Sequence, residues 1–168
     1  FMRVLQLHNQ YAKRGGEDTV VEQERSLLQS HGHEVHAVIE KNVSSGATEK
    51  LRDAIQLRRN RAFLRKLNHV IQEFRPDICH VHNVFWRMSP AVYPALQRHD
   101  VPVVQTLHNY RLFCVNSYFY RQGRICEDCL NINRQQALRH RCYDGSVLKT
   151  FFMSDAVGYH WKEGTWTS

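Results

Sequence analysis

Pro76-Asp77-Ile78-Cys79-His80-Val81-His82 is a short, β-rich run that begins directly after a proline. It follows a long segment with helical periodicity, 49–74, and precedes a short helical segment, 90–99. Strands that are separated by helical crossovers pair in parallel, because the helix returns the chain to the same end of the sheet. The run and its neighbours therefore indicate an α/β fold.

The same alternation continues on both sides of this run. Three further strands are predicted from apolar, β-rich patterns, at 3–7, 34–39 and 101–106. The segments between them are predicted as a loop at 9–16, a helix that stops at Gly32, a polar loop at 42–48, and a single break near Asn60 within the helical segment. This order predicts a doubly wound, mainly parallel, Rossmann-like sheet with helices on both faces.

The regular alternation stops at 112–145, which we interpret as an irregular, aromatic insert that carries four cysteines. A helical pattern returns at 146–161, and no further convincing strand follows, so we expect the sheet to be unfinished. Phe1 stands before Met2, an unusual start for a natural chain. We therefore exclude Phe1 and treat residues 2–168 as one domain.

The composition is that of a globular protein. The chain has 168 residues, of which 42% are hydrophobic and 23% charged. No run approaches the roughly twenty apolar residues that a membrane span needs, and the first residues do not resemble a secretion signal. We expect a cytoplasmic protein.

The formal net charge of +7 favours anionic partners. The densest basic stretch has helical periodicity and carries Arg52, Arg58, Arg59, Arg61, Arg65 and Lys66. Two interpretations stay open: a solvated helix face, or peripheral contact with an anionic membrane surface at the inner face of the membrane. Specific binding of nucleic acid is disfavoured, because no recognition motif accompanies these residues.

Ligands of doubly wound sheets bind at the carboxyl ends of the strands. Three polar groups follow predicted strands there: the loop from His8 to Gly16, the pair His82-Asn83, and His108-Asn109-Tyr110. His108 is placed to donate to a hydroxyl or a phosphate oxygen, although an isolated histidine is often structural. His80 and His82 alternate along one strand, so both point to the same face, one toward the core and one toward the rim.

Gly15-Gly16 lies between the first strand and the first helix. Small residues before a helix allow a phosphate to approach the free N–H groups of its amino terminus, but a simple turn is an equally economical interpretation. Glu17 and Asp18 fit the first turn of the helix, where acidic side chains complement the dipole and cap the backbone.

Cys114, Cys126, Cys129 and Cys142 form a Cys-x-x-Cys pair flanked by two further thiols. Four converging thiolates would close a structural zinc site, and metal binding is favoured over disulfides in the cytoplasm. The alternative is a set of reduced thiols in an insert that aromatic residues, Phe113, Tyr118, Phe119 and Tyr120, anchor to the core. Cys79, inside a strand, is interpreted as a core residue.

Five stretches carry a recognisable combination of motifs: Met2-Arg3-Val4-Leu5, Gly15-Gly16-Glu17, Pro76-Asp77-Ile78-Cys79-His80-Val81-His82-Asn83, Val103-Val104-Gln105-Thr106-Leu107-His108-Asn109-Tyr110, and Cys126-Glu127-Asp128-Cys129. In their order and spacing they resemble family-4 glycosyltransferases, and the cysteines resemble a subgroup with a cysteine-bearing insert. The resemblance covers essentially the whole chain.

The resemblance implies a retaining enzyme of polysaccharide biosynthesis with the GT-B fold, in which two Rossmann-like domains face each other. This chain would be the amino-terminal, acceptor-side half, inactive alone, while the nucleotide-sugar donor would bind mainly to a carboxy-terminal domain absent from this sequence. Gly15 and Gly16 would approach the donor phosphates, and His108 would be the active-site histidine. Further donor or acceptor contacts, to a glycan or lipid-linked acceptor, would come from Glu17, His82, Asn83, Asn109 and Tyr110.

A second hypothesis belongs to another class of protein. In it the chain is a zinc-stabilised basic module that binds a membrane surface or nucleic acid without catalysis. The two hypotheses differ in whether the polar groups at the strand ends form a reaction site.

Overall fold

A computed structural model describes residues 1–42 and 46–167 of the chain. The chain forms two compact units, Phe1–His108 and Asn109–Ser168, called here the first and second units. Part of the predicted loop at 42–48 falls on residues 43–45, outside the described residues, and its last residues already belong to a helix. Across the described ranges, no helix combines the length and apolarity needed to cross a bilayer.

The first unit is a four-stranded parallel sheet flanked by helices, which confirms the predicted α/β class. Its strands are β1 (Arg3–Gln10), β2 (Glu34–Lys41), β3 (Ile78–Val81) and β4 (Val103–Gln105), in the order β2-β1-β3-β4. Its helices are α1 (Gly16–Ser30), α2 (Ala47–Gln56), α3 (Arg61–Phe74) and α4 (Val92–Gln97).

Strands β1 and β3 form the buried centre of this sheet. Leu5, Leu7, Cys79 and Val81 have no exposed surface. Because both faces of a central parallel strand are covered, polar residues of β1 are buried as well, among them Gln6. Cys79 is thus a core residue, as predicted.

Helix boundaries follow local signals in the sequence. The predicted break at Asn60 is confirmed, since its Oδ1 accepts a hydrogen bond from the N–H of Phe63, 3.0 Å away, and caps α3. Gly32 has a φ of 83° directly after α1, a conformation that glycine adopts without steric cost. Strand β4 is shorter than predicted because Pro102 has no N–H and Val101 donates instead to Leu96 at the end of α4.

The second unit contains the predicted insert and the helix after it. Within the insert the structure has a hairpin of β5 (Tyr120–Arg121) and β6 (Arg124–Ile125), and two short helices, α5 (Asp128–Asn131) and α6 (Gln135–Arg139). Helix α7 (Val147–Lys162) confirms the predicted final helix. Gln122 and Gly123, both with positive φ, form the two-residue turn of the hairpin.

A buried arginine organises the start of the second unit. The Arg111 guanidinium donates to the carbonyl of Val115 and to Oγ of Ser117, each 3.2 Å away. Nε1 of Trp161 in α7 donates to the carbonyl of Leu112 at 2.7 Å. These contacts tie the irregular chain to α7 without regular secondary structure.

Candidate functional site

Four histidines gather around the carboxyl ends of the central strands: His8, His80, His82 and His108. Nδ1 of His82 lies 3.0 Å from Nε2 of His108, and the two rings stack with centroids 5.3 Å apart. The ring of His80 lies 4.2 Å from that of His82, and His8 meets it edge-on at 6.0 Å. The structure therefore brings together two of the predicted site residues, His82 and His108.

Burial controls the charge of this cluster. It lowers the pKa of His82 to about 3, with His80, His108 and His8 lowering it further. Burial also lowers the pKa of His80, partly opposed by the carboxylate of Glu24. His82 is therefore neutral near pH 7, with one ring nitrogen as a donor and the other as an acceptor. His82 is buried and His80 partly exposed, as the alternation along β3 predicted.

Glu24 of α1 joins this cluster, although the sequence did not single it out. Its Oε2 lies 3.2 Å from Nε2 of His82 and 3.6 Å from Nδ1 of His80. Glu24 stands three residues after Val21, which is buried, so it lies on the side of α1 that faces the sheet. The sequence does carry one indication of this role, since Glu24 is an acidic residue on the inward face of its helix.

A second buried pair joins β1 to the start of α1. Nε2 of His8 lies 2.9 Å from Oδ1 of Asp18, and Oδ2 of Asp18 accepts from the N–H of Gly15 at 2.7 Å. Burial by itself would raise the pKa of Asp18, but the hydrogen bonds from Gly15 and His8 lower it overall. Asp18 thus caps α1, as predicted, and also pairs with a core histidine.

Gly15 and Gly16 lie exposed at this helix terminus. Gly15 has φ −132° and ψ −174°, an extended conformation open to any residue. A Cβ atom built on either glycine would meet nothing within 4 Å. The fold of the first unit does not itself require glycine at these positions, and the space above them is open.

Asn83 has a structural role that its position in the sequence did not reveal. It is buried, its Nδ2 donates to the carbonyl of Asn9 at 2.8 Å, and its Oδ1 accepts from the N–H of Phe85 at 3.0 Å. The side chain of Asn9 in turn contacts Oδ1 of Asn42 and the N–H of Arg87. These asparagines hold the loop after β3, so the amide of Asn83 is occupied by backbone groups.

The remaining predicted site residues are Glu17, Asn109 and Tyr110. Glu17 is partly buried in the first turn of α1. Asn109 and Tyr110 open the second unit, where Oδ1 of Asn109 accepts from the N–H of Arg111 at 3.0 Å. Tyr110 is 58% exposed and its ring contacts Phe119.

The four cysteines of the insert, called here the thiol cluster (Cys114, Cys126, Cys129, Cys142), are reduced and lie in one region of the second unit. Burial raises the pKa of Cys129 to about 11, and Cys114 and Cys142 raise it further, since their thiolates would repel one another. Burial and the neighbouring Cys114 also raise the pKa of Cys142, partly opposed by the positive charge of Arg121. The thiols lie close enough to affect one another. If several of them ionised together, a positive charge would be needed to offset the repulsion between the thiolates.

Donors already surround the thiol cluster. The N–H of Ala137 hydrogen-bonds to Cys129, and the guanidinium of Arg121 hydrogen-bonds to Cys126, which raises the pKa of Arg121. Within the described residues, however, the one group with three potential metal-ligand atoms inside 4.8 Å is Glu24, His80 and His82. The sulfurs of the thiol cluster are spaced more widely than the ligand atoms of that group.

A parallel sheet with polar side chains at the carboxyl ends of its strands defines a Rossmann-like half-domain. The family model of Glycosyltransferase Family 4 matches residues 3–140, which is most of the chain. The protein belongs to this family and carries a glycosyltransferase-type domain. Comparisons with curated proteins and with solved structures give no significant match. The family match gives no support to a binding module without catalysis.

Proposed function

We propose that this chain is the acceptor-side half of a retaining GT-B glycosyltransferase with a cysteine-bearing insert. It would help to transfer a sugar from a nucleotide-sugar donor to a glycan or lipid-linked acceptor in polysaccharide biosynthesis. The observation that carries the proposal is the 3.0 Å contact between His82 and His108, within a chain of this family. The contact holds a partly exposed histidine at the carboxyl end of β4.

In this proposal His108 is the residue that contacts the transferred sugar. Its Nε2 is bonded to the buried ring of His82, which fixes the ring plane and leaves Nδ1 to meet a sugar hydroxyl or a phosphate oxygen. Preorganised donors of this kind stabilise charge in a transition state without reorganisation. His82 is then a positioning residue, and Asn83 holds the loop that carries it.

The reaction would form one bond and break one at the anomeric carbon. The acceptor hydroxyl attacks on the face from which the nucleoside diphosphate departs, so the configuration is retained. The acceptor proton passes to an oxygen of the departing phosphate. Gly15 and Gly16 support the proposed phosphate approach, because the space above them is open and backbone N–H groups begin α1 there.

The decisive experiment is a transfer and hydrolysis screen with a panel of nucleotide-sugars on the full-length protein. We expect product with retained configuration and strong dependence on His108. The isolated chain should bind nucleotide-sugar poorly, because the donor is assigned mainly to the second domain of the GT-B fold. Micromolar donor affinity of the isolated chain in calorimetry would contradict the assignment of the donor to the second domain.

We propose further that the thiol cluster holds a structural zinc ion. The insert has only short regular elements, and two of the aromatic residues offered as alternative anchors, Tyr118 and Tyr120, are 73% and 54% exposed. The N–H of Ala137 and the guanidinium of Arg121 already face thiols, as donors do around zinc-bound thiolates. The sulfurs are spaced more widely than zinc ligands, so zinc binding would have to draw them together.

Peripheral membrane contact is proposed for the basic stretch of α2 and α3. Leu51 and Ile55, one turn apart on α2, are 49% and 63% exposed. The large apolar residues of α3, by contrast, are buried: Phe63, Leu64, Leu67, Ile71 and Phe74. Exposed apolar side chains among Arg52, Arg58, Arg59, Arg61, Arg65 and Lys66 suit an anionic bilayer surface. Lys66 also pairs with Glu40 at 2.7 Å, which reduces its share of the positive charge.

A further inference from the structure

We propose that Glu24, His80 and His82 form a binding site for a divalent transition-metal ion, distinct from the thiol cluster. Oε2 of Glu24, Nδ1 of His80 and Nε2 of His82 all lie within 4.8 Å of one another. The three residues come from α1 and β3, elements of the first unit. The proposal rests on this geometry and does not depend on the transferase reaction.

Two of the three ligand pairs, those of Glu24 with each histidine, already have the spacing that a small metal ion needs. Zn²⁺ binds imidazole nitrogen and carboxylate oxygen at roughly 2.0–2.2 Å, so two ligands of a tetrahedral ion stand about 3.4 Å apart. Oε2 of Glu24 lies 3.2 Å from the His82 nitrogen and 3.6 Å from the His80 nitrogen. Two imidazoles and one carboxylate favour zinc and its neighbours over Mg²⁺ or Ca²⁺, which prefer oxygen ligands.

The outer partners of both rings support the same assignment. A metal-bound histidine donates its other ring N–H to a nearby acceptor, which fixes the tautomer. Nε2 of His80 lies 2.8 Å from Oγ1 of Thr106, and Nδ1 of His82 lies 3.0 Å from Nε2 of His108. With the ring protons at those two contacts, the remaining nitrogens present lone pairs toward Glu24.

Two polar neighbours agree with these tautomers. Nε2 of Gln6, an N–H donor, lies 3.4 Å from Nε2 of His82, which suits an acceptor at that nitrogen. Oε2 of Glu24 is a buried oxygen that accepts no hydrogen bond from the described residues. Apart from the long 3.4 Å contact of Gln6, a carboxylate oxygen and two imidazole lone pairs converge here, an arrangement that a bound cation would stabilise.

The site is accessible from one side. The side chain of His82 is fully buried and that of His80 is 17% exposed, whereas Glu24 is 33% exposed. An ion can enter past Glu24 and keep open positions for water or for an oxygen of a ligand. Because His82 would bind metal through Nε2 and donate through Nδ1, an ion there would also hold His108 in the tautomer that accepts at Nε2.

Co²⁺ is the probe for this site, because its visible spectrum distinguishes nitrogen and oxygen ligands from sulfur. The metal-stripped chain should bind Co²⁺ with weak visible d–d bands that are separate from the intense near-ultraviolet bands of any cobalt–thiolate site. We expect Glu24→Gln and His80→Asn each to weaken the nitrogen–oxygen site at least tenfold. Circular dichroism melts check that the variants fold.

His69→Asn is the matched control. His69 pairs with Glu73 one turn along α3, but both side chains are about 70% exposed, at 70% and 68%. This variant should bind Co²⁺ as the parent chain does. Unchanged affinity in both Glu24→Gln and His80→Asn would overturn the proposal. A parent chain whose bound Co²⁺ shows only thiolate bands would overturn it as well, whether or not the variants fold.

Discussion

Nδ1 of His82 lies 3.0 Å from Nε2 of His108, so the ring that follows β3 holds the ring that follows β4. His82 is buried and neutral near pH 7, whereas His108 is partly exposed. The buried ring of His82 can therefore position the ring of His108, and the more accessible ring of His108 can contact a ligand.

Replacing His108 with Ala should lower kcat/KM of the full-length enzyme by roughly 10²- to 10⁴-fold, because a positioned hydrogen-bonding group contributes on that order. The melting temperature should change little, since the side chain is partly exposed. Steady-state kinetics and thermal melts measure both. His99→Ala, at an exposed position where the ring contacts Asn68, serves as the control. Full activity of the His108 variant would remove this residue from the mechanism.

Gly15→Ala and Gly16→Ala test whether these glycines serve the stability of the fold or the binding of the donor phosphates. Since a Cβ meets nothing within 4 Å at either position, we expect the free energy of unfolding to stay the same, or to rise by up to about 1 kcal/mol for Gly16 in α1. The KM for the donor should rise, because the methyl group occupies the space assigned to its phosphates.

Gly32→Ala is the control for these two variants, because it should change stability and leave donor binding unchanged. Gly32 has a φ of 83°, so alanine there should cost about 1–2 kcal/mol of stability with no specific effect on the donor KM. Urea unfolding and donor kinetics are measured on all three variants. An unchanged KM in both Gly15→Ala and Gly16→Ala would refute phosphate approach at this turn.

Asp18→Asn should lower the free energy of unfolding by about 1–3 kcal/mol at neutral pH, since a buried carboxylate with two hydrogen bonds is removed. The folded-state pKa of Asp18 lies below the ordinary value of 3.8. Its stabilisation is therefore fully present above that value and is lost as the pH falls through the folded pKa.

The pH dependence is measured as the difference in unfolding free energy between the parent chain and Asp18→Asn. This difference should be constant near neutrality and shrink in acid, below the ordinary carboxyl pKa of 3.8. Asp100→Asn, at an exposed position with a φ of 54°, should show neither effect, because asparagine tolerates that conformation. A difference that grows in acid would show that the pKa of Asp18 is raised.

Zinc bound by the thiol cluster should be lost in Cys126→Ser and in Cys129→Ser. Structural zinc contributes on the order of 10 kcal/mol to small sites, so these variants should lose order in the second unit. Elemental analysis and hydrogen exchange measure the two effects. Cys79→Ala, in the core of the first unit, should keep the zinc despite its lost packing. A sulfur-bound ion that survives in both serine variants would exclude this ligand set.

Vesicles that contain anionic lipid should bind the chain, and Arg59→Glu and Arg65→Glu should each weaken that binding severalfold. Each replacement reverses a charge on an exposed side chain of the basic stretch. Ile55→Ser should weaken binding without a change in charge. Arg139→Glu, exposed on α6, controls for net charge. Equal losses for all three positively charged positions would indicate a general electrostatic effect and no defined contact face.

Much of the fold could be predicted from the sequence because it depends on local patterns. The β-rich run at Ile78–Val81 and the helical periodicity before it are properties of neighbouring residues, as is the cap at Asn60. Burial of Cys79 follows from its place inside a covered strand. Backbone geometry and the direction of burial repeat with the period of the element, so a single sequence carries this information.

The composition of the site was decided by the tertiary structure. The parallel register of β1 and β3 places Gln6 beside His80, and α1 then brings Glu24 over the same strands. Asn83 was predicted to contact a ligand, and the tertiary structure gives its amide a further role in holding the loop after β3. A side chain becomes a ligand, a cap or a buried partner according to which distant atoms lie within about 3 Å of it, and those neighbours are set by packing between elements, which no local pattern records.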